Sequence, residues 1–128
     1  MKNQATIDKI LSTRQSPKLL KRYYTGYSQL YIINLFNAEE NFLKIGSSFF
    51  CLNRRFSSKK IMPYEYKIIC QIVTKEYNNL ESIFQNNLSE FKYDPKIKFG
   101  GYSECFTNES LNSNFLSRIL KEVHNVSE

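Results

Sequence analysis

Three side-chain types recur at intervals that suit one kind of chemistry. Tyr31 lies in the run Gln29-Leu30-Tyr31-Ile32-Ile33-Asn34-Leu35-Phe36, and Lys44 lies in Leu43-Lys44-Ile45-Gly46. Two arginines follow in Leu52-Asn53-Arg54-Arg55-Phe56. A strand hairpin that runs straight into a basic helix brings a phenol, an ammonium and a guanidinium within reach of one surface. Cations of both kinds bind phosphate oxygens, the guanidinium as a fork and the ammonium as a point charge. Such a surface has the chemistry of a phosphodiester site.

The elements that must position these groups can be read from periodicity. Residues 30–36 are apolar on both alternating faces except at Asn34, as in a central strand covered on both sides. Asn37-Ala38-Glu39-Glu40-Asn41 makes the reversal, and residues 43–45 return antiparallel. Gly46-Ser47-Ser48 breaks the strand and opens the basic helix, with Ser48 as its cap. Beyond Pro63, residues 66–74 are rich in β-branched side chains and predict a third strand. From Asn78-Asn79 to about Phe91, the side chains Leu80, Ile83, Phe84, Leu88 and Phe91 form one helical stripe. Asp94-Pro95 and Gly100-Gly101 bound a loop, and residues 102–106 are a candidate short edge strand. Thr107-Asn108-Glu109 opens a last helix whose inward face is Leu111, Phe115, Leu116, Ile119, Leu120 and Val123. Ahead of the hairpin, residues 6–14 suit a short helix with Ile7, Ile10 and Leu11 on one side. Pro17 precedes a basic turn over residues 18–24. Its Lys18, Lys21 and Arg22 are either a solvated face or phosphate contacts. Residues 1–25 read as an appended helical basic arm and residues 26–128 as the main domain. The expected fold is α/β (α+β), a small three-stranded antiparallel sheet flanked by helices, with the N-terminal arm and a C-terminal helix.

With 128 residues, 41% hydrophobic and 15% aromatic, the chain can bury one core without disulfides or a structural metal. Eighteen Lys and Arg against twelve Asp and Glu leave a net charge of +6, which favours a polyanionic partner. Three cysteines (Cys51, Cys70, Cys105) at wide spacing and a single histidine, His124, argue against a tetrahedral zinc site. Buried thiols in a reducing cytosol are the expectation. The N-terminal residues hold no apolar run of signal-peptide length, and no segment approaches the roughly 18 apolar residues of a membrane span. The expected setting is therefore cytoplasmic, with no membrane partner.

Taken in order, Gln29-Leu30-Tyr31, Lys44-Ile45-Gly46 and an arginine on the next helix resemble the GIY-YIG nuclease superfamily. The similar branch is the one whose second motif reads Lys-Ile-Gly. Leu80-Glu81 and Glu104-Cys105-Phe106 fall where that branch carries a Leu-Glu and a Glu-aromatic-Phe element, so the resemblance covers about residues 28–107. It implies metal-assisted phosphodiester hydrolysis of DNA. Tyr31 takes the place of the tyrosine that acts as general base or positions the attacking water. A phenol ionises at about pH 10, so a proton-accepting tyrosine needs cations nearby, and Lys44 and an arginine are in reach. Glu81, at the border of the Leu80/Phe84/Leu88 stripe, is the implied ligand for Mg²⁺ or Mn²⁺, with waters and phosphate oxygens completing the shell. Glu104 is a second carboxylate that supports the site.

Arg54 and Arg55 compete for the phosphate-clamping arginine. Counting from Gly46 favours Arg54, whereas the flanking Leu52 and Phe56 favour Arg55. At about 100° per residue, Arg55 sits at the edge of the Leu52/Phe56 stripe and Arg54 points nearly away from it. Arg55 is the expected clamp. Arg54, Lys59 and Lys60, with Lys18, Lys21 and Arg22 of the arm, are expected on the nucleic-acid backbone. The family's histidines are replaced by Ser58 or Lys59 after the arginine and by Gln85 after Leu80-Glu81, which keeps a non-catalytic nucleic-acid-binding module as the alternative. With no separate sequence-reading domain, specificity is expected to be low, or to come from the arm, a homodimer or a partner protein.

Overall fold

The apolar run in residues 28–36 explains most of the architecture. The computed structural model describes residues 2–16, 20 and 26–126, with the side chains of residues 2, 3 and 124–126 excepted. Helix α1 (Lys2–Ser12) is followed by strands β1 (Ser28–Phe36) and β2 (Asn41–Ser48), the single-turn helix α2 (Leu52–Arg55) and strand β3 (Glu65–Thr74). Helix α3 (Tyr77–Asn87), the two-residue strand β4 (Cys105–Phe106) and helix α4 (Asn114–Val126) complete the order. Lys18, Lys21 and Arg22 lie outside the described residues.

The sheet has four antiparallel strands in the order β3-β1-β2-β4, one more than the three expected. The addition is β4, which pairs only Phe106 with Leu43 and Cys105 with Lys44. The candidate edge strand at residues 102–106 is thus realised only in its last two residues, while residues 102–104 form a 3₁₀ turn. β1 is central and apolar on both faces, as read, because each face has its own core. Leu30 and Ile32 join Leu43, Ile45, Ile72 and Phe106 beneath α1, α3 and α4. Tyr31, Ile33 and Leu35 join Phe42, Leu52, Phe56, Met62, Tyr64 and Phe99 on the opposite side. A bulge where β1 meets β3 at Ile32/Ile33 shifts the register, and Ile68 beyond it is 44% exposed on the edge strand.

Four expectations change on contact with tertiary structure. α1 is not an appendage: Ile7 and Ile10 are buried in the main core with Leu80, Ile119 and Val123. Gln15 bridges to Val73 and covers one end of the β3 edge. A stripe of apolar side chains on so short a helix gains free energy only by burial against other elements, so the helix docks. The basic helix shrinks to one turn, capped at Cys51, because the Ser48 hydroxyl instead accepts the Phe50 amide and closes a turn. Finally, α4 starts after a 3₁₀ segment (Asn108–Asn112), with the Ser113 hydroxyl accepting the Leu116 amide. Of the cysteines, Cys70 and Cys105 are buried, and burial pushes both thiols up to about 12. Cys51 is exposed, at odds with the expectation of buried thiols throughout.

No helix among the described residues is long and apolar enough to cross a membrane.

Candidate active site

Antiparallel register puts Tyr31 opposite Gly46 and Ile33 opposite Lys44. Residues paired in this way point to the same face, so Tyr31, Lys44 and Gly46 share one side of the sheet. Gly46 leaves the floor between the other two bare. A Cβ there would lie 2.7 Å from the Lys44 Nζ and 2.8 Å from the Tyr31 hydroxyl. Into this gap Lys44 donates a hydrogen bond of 2.5 Å to the Tyr31 hydroxyl oxygen. Tyr31 is 0% exposed and Lys44 2%.

Lys44 also forms an ion pair with the Glu104 carboxylate at 3.1 Å. Burial alone would push the ammonium down, but the charges of Tyr31 and Glu104 and the hydrogen bonds to both outweigh it and raise Lys44 above its usual value. A lysine so placed is charged at neutral pH. Gly101 brings Glu104 in close. It sits in the left-handed region at φ +92°, and a Cβ there would come within 2.8 Å of the Lys44 Cε.

Glu81 arrives from the other face of the sheet. Its helix, α3, buries Leu80 and Phe84 in the main core, which turns Glu81 toward the rim of β2. There the Ser47 hydroxyl donates to Glu81 Oε1 at 3.2 Å, and the Glu104 carboxyl shares the cleft beside it. The meeting is allowed because β4 pairs only with residues 43 and 44, leaving the rim of β2 from Ile45 onward without a strand. Gln85 covers part of that rim by donating to the Ile45 carbonyl at 3.5 Å, and Lys92 donates to both Gln85 and the Ser103 carbonyl.

Glu81 is raised above the ordinary carboxylate range, first by burial and then by its hydrogen bond to Glu104 and the charge there; Ser47 and Lys44 pull the other way. Both carboxyls line an open cleft of about 510 Å³, together with Asn78, Ser82, Gln85 and Asn86. Among the described residues no group of three or more His, Cys, Asp or Glu side chains converges. Two facing carboxyls, a hydroxyl and access to water nevertheless fit a hard, oxygen-preferring cation that keeps most of its waters.

The arginines separate as the helical geometry requires. Arg54 is exposed, its guanidinium 5.1 Å from the centre of the Phe50 ring. Arg55 is half-buried over Phe56 at 5.5 Å, and Phe56 packs edge-on against Tyr31 at 5.7 Å. Arg55 thus reaches the centre through a ring, and among the described residues it makes no hydrogen bond to Tyr31, Lys44, Glu81 or Glu104. Lys59 and Lys60 are exposed on the connection after α2, with Lys59 paired to Glu65.

Of the residues singled out in the sequence, Tyr31, Lys44, Glu81 and Glu104 form one connected cluster. Ser47 and Gly101 were not anticipated. Ser47 looked like part of a strand-to-helix break, and Gly101 like loop punctuation; only its nearness to Glu104 in sequence hinted otherwise.

A second polar cluster fixes the segment that carries Glu104. Glu40, in the β1–β2 turn, is 6% exposed and accepts hydrogen bonds from the Tyr64 and Tyr93 hydroxyls, both at 2.6 Å, and from the Lys96 amide at 3.1 Å. Burial would raise Glu40, but these bonds and the Lys96 charge together lower it. The loop from Lys92 to Glu104 is thereby pinned to the hairpin, with Tyr93 in turn donating its amide to the Cys105 carbonyl.

No family model, curated protein or solved structure matches the chain.

Proposed function

We propose that this chain hydrolyses phosphodiester bonds in DNA with the help of one divalent cation, Mg²⁺ or Mn²⁺, in the manner of the GIY-YIG nucleases it resembles. One observation carries the reading: Tyr31, Lys44 and Glu104 form a hydrogen-bonded chain from two strands and a loop, and its last carboxyl lines the same cleft at the rim of β2 as Glu81 of α3. Glu81 and Glu104 would hold the cation, which when bound supplies positive charge to a phosphate oxygen and to the attacking water. Lys44 holds the Glu104 carboxylate in place through their ion pair. Tyr31 fixes the Lys44 ammonium by accepting its hydrogen bond. Arg55, steadied on Phe56, clamps the phosphate as charge builds on it. Arg54, Lys59 and Lys60 meet the flanking backbone.

A second reading is favoured by two specific features. Tyr31 is shut off from solvent, and Gln85 rather than an ionisable imidazole stands one turn after Glu81. Both suit a module on this fold that binds nucleic acid without cutting it. Nicking of supercoiled plasmid separates the two. Cleavage that needs Mg²⁺ or Mn²⁺ and disappears in Glu81→Ala and Tyr31→Phe supports the hydrolase. Salt-sensitive binding without cleavage under the same conditions replaces it with the module.

A further inference from the structure

Among the described residues, five large hydrophobic side chains are exposed: Phe49, Ile61, Ile68, Ile97 and Tyr102. The two aromatic ones flank the cluster described above. Phe49 follows Ser47 by two residues, and Tyr102 precedes Glu104 by two. Phe49 is 39% exposed and packs edge-on against Tyr77 at 5.7 Å, one helical turn before Glu81. Tyr102 is 42% exposed on the 3₁₀ turn Tyr102–Glu104. Fuller burial of either ring would have added stability, yet each keeps about two-fifths of its surface exposed.

The surroundings define a ligand. Lys98 lies over the Tyr102 ring at 4.9 Å, so a cation occupies one face while the ring stays accessible to a second planar group. The cleft wall itself presents Asn78, Ser82 and Asn86, neutral groups that both donate and accept. Lysines and arginines neutralise phosphates, whereas amides read base edges. In a continuous duplex the base faces are stacked on each other and cannot reach an aromatic side chain. An unpaired nucleotide offers both its face and its pairing edge.

We infer that Tyr102 and the Phe49–Tyr77 pair are stacking platforms on either side of the Glu81–Glu104 cleft, and that the chain selects unpaired nucleotides over continuous duplex. The inference rests on the nucleic-acid reading above but not on hydrolysis. Fluorescence anisotropy with a short labelled single-stranded DNA and its blunt duplex, in low salt and EDTA so that nothing is cut, tests it. The wild-type chain binds the single strand about ten-fold more tightly than the duplex. Tyr102→Ala and Tyr102→Leu each lose roughly ten-fold on the single strand and leave duplex binding unchanged, while Tyr102→Phe keeps the wild-type preference. Leucine preserves apolar bulk without a flat π face, so its loss separates stacking from simple contact. Equal binding of the two DNAs by wild type, or single-strand affinity unaltered in both variants, overturns the inference and leaves the nucleic-acid reading intact. Failure of the wild-type chain to bind either DNA overturns both.

Discussion

The ammonium of Lys44 hydrogen-bonds the Tyr31 hydroxyl at 2.5 Å across the bare floor left by Gly46, with both side chains closed to solvent. A buried ammonium is tolerable only when its donors are matched. Tyr31 and Glu104 supply the partners, so the same contacts that preserve the fold orient the cluster.

Coupling between Tyr31 and Lys44 should be measurable. Tyr31→Phe leaves a buried donor without its acceptor and is expected to cost about 1–3 kcal/mol. Lys44→Met removes the charge and frees Glu104. The double variant should lose less than the sum of the singles, because the second change removes the group that the first left unsatisfied. Urea unfolding of all four proteins checks this, and strict additivity would contradict it.

Gly46→Ala places a methyl group against the Lys44 Nζ and the Tyr31 hydroxyl in a fully packed layer. Neither side chain has open space to retreat into, so a loss of about 1–3 kcal/mol is expected. The proposed phosphodiester cleavage should fall further than stability does, because the displaced lysine no longer reaches Glu104. Gly100→Ala is the control: nothing lies within 4 Å of a Cβ at that position. A Gly46→Ala variant as active as wild type would sever the link between this floor and function.

Cation binding should release a proton. Glu81 is raised by burial and by Glu104, so on its own it contributes stability below the ordinary carboxylate value of 4.5 and loses it as pH rises through the raised value. A divalent cation takes the proton's place, and its affinity therefore strengthens with pH across that window. Calorimetric titration of Mn²⁺ in two buffers of different ionisation heat reads the released proton. Glu104→Gln should weaken the affinity and diminish the release; the same release from Glu81→Gln would place the cation elsewhere.

Acid should loosen the Glu104 loop through Glu40. Glu40 is lowered in the folded chain, so its contribution is present above the ordinary value of 4.5 and is lost as pH falls through the depressed value. Glu40→Gln is expected to cost about 1.5–3 kcal/mol at neutral pH, as a charged acceptor of several hydrogen bonds is lost.

At the alkaline end, burial foremost at Tyr64 and the Glu40 hydrogen bond foremost at Tyr93 push both phenols up to about 12. Each raised phenol contributes stability below its ordinary value of 10 and loses it as pH rises toward about 12. Ultraviolet titration should therefore show two tyrosines that ionise late, and Glu40→Gln should bring both back toward the ordinary value.

Local pattern carried a good deal of this molecule. The doubly apolar run of β1, the return of β2 and the stripes of α3 and α4 were all legible, because period and turn chemistry are properties of neighbouring residues. Tyr31, Lys44 and Glu81 could be singled out by order and type, and Glu104 as a supporting carboxylate. The docking of α1 could not be read, since a short amphipathic helix looks alike whether it packs on its own domain or elsewhere. Nor could the reach of Arg55, which depends on where a one-turn helix lays the Phe56 ring.

The amino-acid sequence by itself determined which segments are strands and helices and which side chains on them can do acid, base or phosphate chemistry. Only the tertiary structure decided that a strand of two residues stops short along β2 and leaves its rim open. Side chains from opposite faces of the sheet meet at that rim, and Gly46 and Gly101 give them room to approach. The physical reason is that such a meeting depends on pairings between residues dozens of positions apart, which no local periodicity encodes.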